Sequence, residues 1–479
     1  MVEQGAWQHS FQFGGGKEIV VEPAAAQLSS DAGLLPVRAF DERIGLTEHF
    51  AAALDDRRQD PRHLVREMVR SRVYGILADY EDQNDHDALR SDPVFKLIAG
   101  RSPDGSDLAS QPTLSRFENA VSIPDLWRLQ DVFLDQFIAS FDTPPARLTF
   151  DIDTFDDPTH GGQQLTFFHG YYGQYQYLPR AITCAETDQV VMLCLLFGTA
   201  PPTLGADDDL EYLVRRLREA WPQVDIELRA DSGFGVPMMY DACERLGVWY
   251  TLGLKMNAVL QRESNALLAD AVAQHEQTGE KARLFHFFEY QAGSWPQPRE
   301  TIIKCEAHEG GTNRRAVVTN RLGAAVVPEA VYDEYAERGE SENRNKELKC
   351  GLHADRLSDH RFLANLFRLY LHAAAHNLLV RLRRVVADPP EPDPPRDLPK
   401  EALPGRRRKQ FQNQRRQRDP LGEGHPCTWR TRLIKVAAEI TTLWRCVRVR
   451  LSASWPFLDF YRQVCEAISP PPLPAPAPG

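Results

Sequence analysis

The spacing of apolar positions changes character near residue 146. Before that point, stretches such as "DPRHLVREMVRSRVYGILADYED" (60–82) repeat their apolar residues at helical intervals, and a short extended start leads into them. "SQPTLSRFENA" (110–120) sets Pro112 and Thr113 where a helix opens and Glu118 within it. That short helix loosely resembles a DNA-reading helix, and it reads equally as a packing helix. From "ARLTFDIDTF" (146–155) the period shortens to that of a strand. "GQYQYLPRAITCAE" (173–186) and "QVVMLCLLF" (189–197) follow closely enough for an antiparallel meander. A helix (208–222), a strand (224–231), a helix (236–247) and a strand (249–255) come next, which predicts a mixed α/β layer.

Residues 256–327 interrupt that layer with a helical piece and three strand-like runs, "ARLFHFFEYQA", "ETIIKCEAH" and "RRAVVTN", read as a β-rich insertion. The chain turns helical again from Pro328. Its most apolar run, "FLANLFRLYLHAAAHNLLVRL" (362–382), is broken by Arg368, His372, His376 and Arg381, so it predicts a buried helix and no membrane span. The resulting division is 1–145 helical, 146–255 α/β, 256–327 insertion, 328–386 the remainder of the α/β unit, 387–425 a Pro-rich and basic linker, and 426–479 a helical segment with a Pro-rich tail.

Composition alters this picture in two places. The net charge of −11 argues against a nucleic-acid partner until its distribution is considered. Residues 396–418 carry a net +7, including Arg406, Arg407, Arg408, Lys409, Arg415, Arg416 and Arg418, so the remainder carries −18. A basic run beyond a Pro-rich linker suits phosphate contacts without base reading, and equally a solvated charge run. The eight cysteines form no CxxC pair and the start lacks a secretory pattern, so reduced thiols in a cytoplasmic protein are expected.

Candidate chemistry is carried by acids. Asp151 and Asp153 alternate on one strand and share a face of the sheet. Asp231 ends the strand 224–231, and strand ends in α/β sheets are where sites gather. Aspartates there also commonly cap the next helix. Oxygen ligands with little histidine nearby suit Mg²⁺ or Mn²⁺ better than zinc. In "YAERGESENRNKELK" (335–349), Tyr335, Arg338, Glu342 and Lys349 fall within an arc of roughly 60° on one helical face. Such a face meets either water or a phosphate and a metal ion.

The spacing Tyr335-x2-Arg338-x3-Glu342-x6-Lys349 resembles the Tyr-Arg-Glu-Lys signature of a branch of DDE transposases from bacterial insertion sequences. "DIDTFDDPTHGGQ" resembles its first motif and "RADSGFG" its second, while "HGYYGQYQYLP" and "LASQPTLSRFEN" are similar to further segments, in order, across roughly 30–385. The resemblance implies a ribonuclease H-like core with a β-rich insertion, a helical N-terminal DNA-binding region and a basic C-terminal extension. It implies catalytic and metal-binding Asp153, Asp231 and Glu342 with two Mg²⁺ or Mn²⁺ ions, and Asp151 as the rival first carboxylate. Tyr335, Arg338 and Lys349 would hold phosphates of the transposon end, and Trp295 in the insertion would stabilise a flipped base. The implied function is a nucleoid-associated enzyme that cuts an insertion sequence at its terminal inverted repeats. It then joins the 3′ ends to target DNA, as a homodimer on double-stranded DNA and away from membranes. The alternatives are an inactive DNA-binding derivative and a metal-dependent nuclease that cuts without joining.

Overall fold

The computed structural model describes residues 7–12, 17–321, 327–387 and 425–469. The basic run 406–418, with Arg406, Arg407, Arg408 and Lys409, lies outside the described residues. No helix among the described residues is long and apolar enough to cross a membrane.

A large mixed sheet organises the molecule. Its main strands are β1 (Arg147–Thr154), β2 (Gln174–Cys184), β3 (Val190–Phe197), β4 (Asp225–Ala230), β5 (Trp249–Leu254), β6 (Ala282–Tyr290), β7 (Arg299–His308) and β8 (Gly311–Thr319). They lie side by side as β6-β7-β8-β5-β4-β1-β2-β3. β1 and β5 run parallel to β4 between them, and the other neighbours are antiparallel. The insertion is therefore no separate unit: its strands continue the sheet through the β8–β5 ladder.

The alternation in "LTFDID" explains how the central strands are covered. Leu148, Phe150 and Ile152, with Ile226 and Leu228 of β4, enter an apolar core with the helices α1 (Ala206–Ala220) and α2 (Pro237–Leu246). The opposite face carries Thr149, Asp151, Glu227 and Arg229, all buried, so its polar groups must find partners within the protein. They do. Glu227 pairs with Arg147 and Arg321, and Arg229 lies 2.7 Å from Asp151.

The segment from Pro328 folds as α3 (Pro328–Ala336), α4 (Gly339–Lys346) and a wide π-type turn over Glu347–Gly351. The single continuous helical face expected for residues 335–349 is interrupted where Gly339 follows Arg338. There the bonds contract to three-residue steps, Arg338 N to Tyr335 O (2.9 Å) and Ser341 N to Arg338 O (2.8 Å).

Beneath this segment runs α5 (Phe362–Val386), 25 residues long and buried on nearly all sides. Asn377 on α5 bonds both backbone groups of Val190, and Gln130 bonds Val191 O and Leu193 N, so two helices cover the edge of β3. Glu347, 1 % exposed, lies 3.0 Å from both Arg344 and Arg383, with His376 at 3.7 Å. Burial opposes its charge, but His376, Arg383 and Arg344 outweigh that and hold the carboxyl at about 2, against an ordinary 4.5. A depressed acid stabilises the fold above its unfolded pKa and loses that contribution as pH falls through the folded one. Stability is thus expected to decline between pH 4.5 and about 2 in the wild type, and less steeply in Glu347→Gln. Urea titrations across that window compare the two slopes.

The C-terminal segment corrects the sequence reading. Residues 430–453, within the segment 426–479 expected to be helical, form one short π-type turn and then the strands Ala438–Thr442 and Val447–Leu451. The β-branched alternation in "VRVRL" suits a half-covered strand, and the hairpin finds a third strand in Gln27–Ser29 near the N-terminus. That partner, some four hundred positions away, is invisible to local periodicity.

Candidate active site

β1 and β4 end side by side. Their parallel register pairs Asp151 with Arg229 and Ile152 with Ala230, so the next positions, Asp153 and Asp231, emerge together at the end of the ladder. Asp231 opens a turn in which its Oδ1 accepts a bond from Gly233 N (2.9 Å). Asp153 Oδ1 accepts one from Thr154 N (2.8 Å). Between these aspartates and α4 stands Arg338, 3.4 Å from Asp153 and 3.3 Å from Glu342.

The electrostatics tie these side chains into one group. Burial raises the Asp153 carboxyl to about 6; Arg338 opposes the rise, and the negative charges of Asp231 and Glu342 add to it. The Arg338 guanidinium is held above its ordinary value because Tyr335, Asp153, Asp231 and Glu342 together overcome its desolvation. Arg338 thus pairs with Asp153 and Glu342, and the charge of Asp231 also reaches it.

Tyr335 reaches the same place through a gap in β5. A methyl at Gly253 would stand 2.7 Å from Ser232 N and 2.8 Å from the Tyr335 hydroxyl. Gly253 thus admits both the Asp231 turn and the Tyr335 ring. Its signal in the sequence was a lone glycine inside a strand pattern, which marks close backbone approach.

Lys349 stands apart from the other three signature residues. Carried past α4 by the π-type turn, it pairs with Asp156 just beyond β1. Burial disfavours the Asp156 charge, but Lys349 and the Gln174 amide outweigh it and lower its pKa. In the sequence Asp156 lies within "DIDTFDDPTHGGQ", where nothing local reveals its lysine.

Asp151 is differently placed from Asp153. Both its oxygens accept bonds from Arg229, each at 2.7 Å, and both side chains are buried. The fork occupies one acceptor position on each oxygen, and burial closes the carboxylate to solvent. Trp295 is 6 % exposed, packed edge-on against Tyr240 and Tyr290, with the Arg299 guanidinium 5.9 Å from its ring. Contact with a flipped base requires it to leave that packing.

A set of carboxylate oxygens, largely buried at Asp153 and open to solvent at Glu342, fits a divalent cation of the Mg²⁺ or Mn²⁺ type. Asp79, Glu81 and His353 are the one group among the described residues with three donor atoms mutually within 4.8 Å. Arg430 (2.7 Å from Asp79) and Arg356 (2.5 Å from Glu81) already neutralise that cluster.

The family model for transposase DDE domain, group 1, matches residues 11–391. The chain belongs to this family. No curated protein matches it. Among solved structures it is similar to a piggyBac transposase synaptic complex with hairpin DNA, at 15% identity and a TM-score of 0.39 over 94% of this chain and 87% of that one. So distant a likeness carries no argument about the site. The transposase assignment rests on the family match.

Proposed function

We propose that this transposase cuts an insertion sequence at its terminal inverted repeats and joins the freed 3′ ends to target DNA. Asp153, Asp231 and Glu342 are the acids of its active centre. The observation that carries the reading is Arg338 standing 3.4 Å from Asp153 and 3.3 Å from Glu342, with Asp231 emerging beside Asp153 at the end of the β1–β4 ladder. The β3-β2-β1-β4-β5 order, antiparallel for the first three strands and parallel for the last three, supports a ribonuclease H-like core. The spacing of Tyr335, Arg338, Glu342 and Lys349 supports the Tyr-Arg-Glu-Lys branch of bacterial insertion-sequence enzymes.

Divalent cations, two in the usual arrangement for this chemistry, would be held by Asp153, Asp231 and Glu342, and would supply charge neutralisation at the scissile phosphate. The protein's own contribution is position. Burial keeps water from dispersing the charge of Asp153, and the Gly253 gap lets Tyr335 approach the Asp231 turn. Arg338 is a bidentate donor suited to a phosphate once the acids have another cation, and Lys349 adds a separate point charge where it meets Asp156. Water is the first nucleophile and the 3′-OH it frees is the second, so no covalent protein intermediate is needed. Two ends must be held together, which calls for a homodimer on DNA.

The test uses purified full-length protein, a labelled duplex carrying the element's terminal repeat, a supercoiled target and Mg²⁺ or Mn²⁺. Cleavage at the repeat followed by joining is the expected result. Cleavage without joining selects the nuclease reading, and binding without cleavage selects the inactive derivative. Arg338→Ala and Lys349→Ala are each expected to weaken the complex with the cleaved end by about tenfold or more, one charge-assisted contact apiece.

A further inference from the structure

Beside the acidic centre, β2 begins in a small hairpin whose outer strand is Phe167–His169, paired with Gln174–Gln176. Its tip, "GYYG", turns through Gly173 in the left-handed region at φ +67. Solvated hairpin tips are normally polar, yet this one displays Tyr171 at 87 % exposure, Tyr175 at 58 % and Phe168 at 52 %, with Phe167 and Tyr172 also exposed. Single exposed aromatics need no explanation; five within nine residues form a patch. The rings already make edge contacts, Phe168 with Tyr175 at 5.6 Å and Tyr171 with Tyr172 at 5.0 Å, which leaves the outer face of Tyr171 free.

The hairpin is joined to the centre by its polar groups. Gln174 donates to Asp156 (3.1 Å), and Asp156 holds Lys349. The Tyr172 phenol is raised chiefly by burial and further by Asp156, and the charges of Lys349 and Asp153 also reach it. Gln174, Asp156 and Lys349 thus link the hairpin to the segment just beyond β1 that carries Asp153.

A patch of exposed rings joined through Gln174 and Asp156 to a lysine has the composition of a single-strand platform. Aromatic faces take bases without regard to sequence, and the cation takes the backbone. We propose that the hairpin tip, Tyr171 foremost, stacks an unpaired nucleobase of the DNA strand adjoining the scissile phosphate. This rests on the DNA-cleaving reading of the site above. The occupant is a base because the patch is tied through Gln174 to the Asp156–Lys349 pair just beyond β1, and a membrane or an apolar protein face has no use for that pair.

The experiment uses full-length protein in EDTA, so that no strand is cut, and two labelled duplexes of one sequence. One is blunt and the other ends in a three-nucleotide single-stranded tail carrying 2-aminopurine. Wild type is expected to bind the tailed duplex roughly 5- to 100-fold more tightly, the range that stacking of one base supports, and to quench the 2-aminopurine. Tyr171→Ala should abolish the preference and the quench, Tyr171→Phe should keep both, and all three proteins should melt at the same temperature because the side chain is nearly fully exposed. Equal binding of both duplexes by wild type, or an undiminished preference in Tyr171→Ala, overturns the platform and leaves the transposase reading intact. Failure to bind either duplex overturns both. Conversion of a wild-type dimer to monomer by Tyr171→Ala, with DNA preference unchanged, overturns the platform in favour of self-association.

Discussion

Asp153→Asn is expected to abolish strand cleavage and to raise the melting temperature of the metal-free protein. The two effects share a cause. The Asp153 carboxyl is raised from 3.8 to about 6 in the folded state, first by burial and then by Asp231 and Glu342, with Arg338 opposing. A raised acid means that the folded chain binds the proton more tightly than the unfolded one, so ionised Asp153 costs stability above pH 6 and the cost disappears as pH falls below 3.8. Asparagine has the same shape and no charge to desolvate. At neutral pH the substitution should therefore gain on the order of 1–3 kcal/mol, the lower part of that range being favoured because the side chain is 18% exposed.

Cleavage should fall by about 10³-fold or more, as for loss of any member of a catalytic unit. Glu342→Gln should match that loss without the gain, because Glu342 is 55% exposed and its charge is already solvated. Thermal melts in EDTA and end-cleavage assays in Mn²⁺ measure both halves. Asp153→Asn cutting DNA at the wild-type rate removes it from the active centre. An unchanged or lowered melting temperature at neutral pH shows instead that its pairing with Arg338 outweighs the cost of its charge.

How much of this was legible in the sequence follows from the range over which each signal acts. The strand "RLTFDIDT" was readable because its alternation is local, and so were the ends of β1 and β4, which put Asp153 and Asp231 on view. Glu342 was singled out by the resemblance that its spacing to Tyr335 and Arg338 carries, and it lies 3.3 Å from Arg338. The break at Gly339 was visible as a residue but not as a structure, because one glycine within a polar run neither forces nor forbids a helix. What parts Asp151 from Asp153 is Arg229, seventy-eight positions downstream. Only the register of β1 against β4 brings that arginine alongside. The same holds for Lys349 and Asp156, and for the hairpin 438–451, whose third strand is Gln27–Ser29. Period and spacing reveal elements; partners across the sheet they do not.

The pairing of Asp151 with Arg229 sets up the opposite outcome from Asp153. Both side chains are all but inaccessible, at 3% and 1% exposure, and the two 2.7 Å bonds form a closed fork. Desolvation opposes the Arg229 charge, yet Asp151 foremost among its neighbours keeps the guanidinium above its ordinary value. Removing one member strands the other as a buried charge, which costs about 3–5 kcal/mol. Asp151→Asn and Arg229→Met are each expected to lower stability by that order, with the arginine left by the first substitution partly relieved by Glu337 at 3.9 Å. The double variant Asp151→Asn/Arg229→Met strands no charge and should lose much less than the two single losses combined, so a double-mutant cycle by urea titration should return a coupling of about 2 kcal/mol or more. Were Asp151 a metal ligand in place of Asp153, Asp151→Asn would melt in EDTA at or above the wild-type temperature and lose its response to Mn²⁺. A destabilised variant that still gains stability from Mn²⁺ assigns Asp151 to holding β1 against β4, the contact that sets Asp153 beside Asp231.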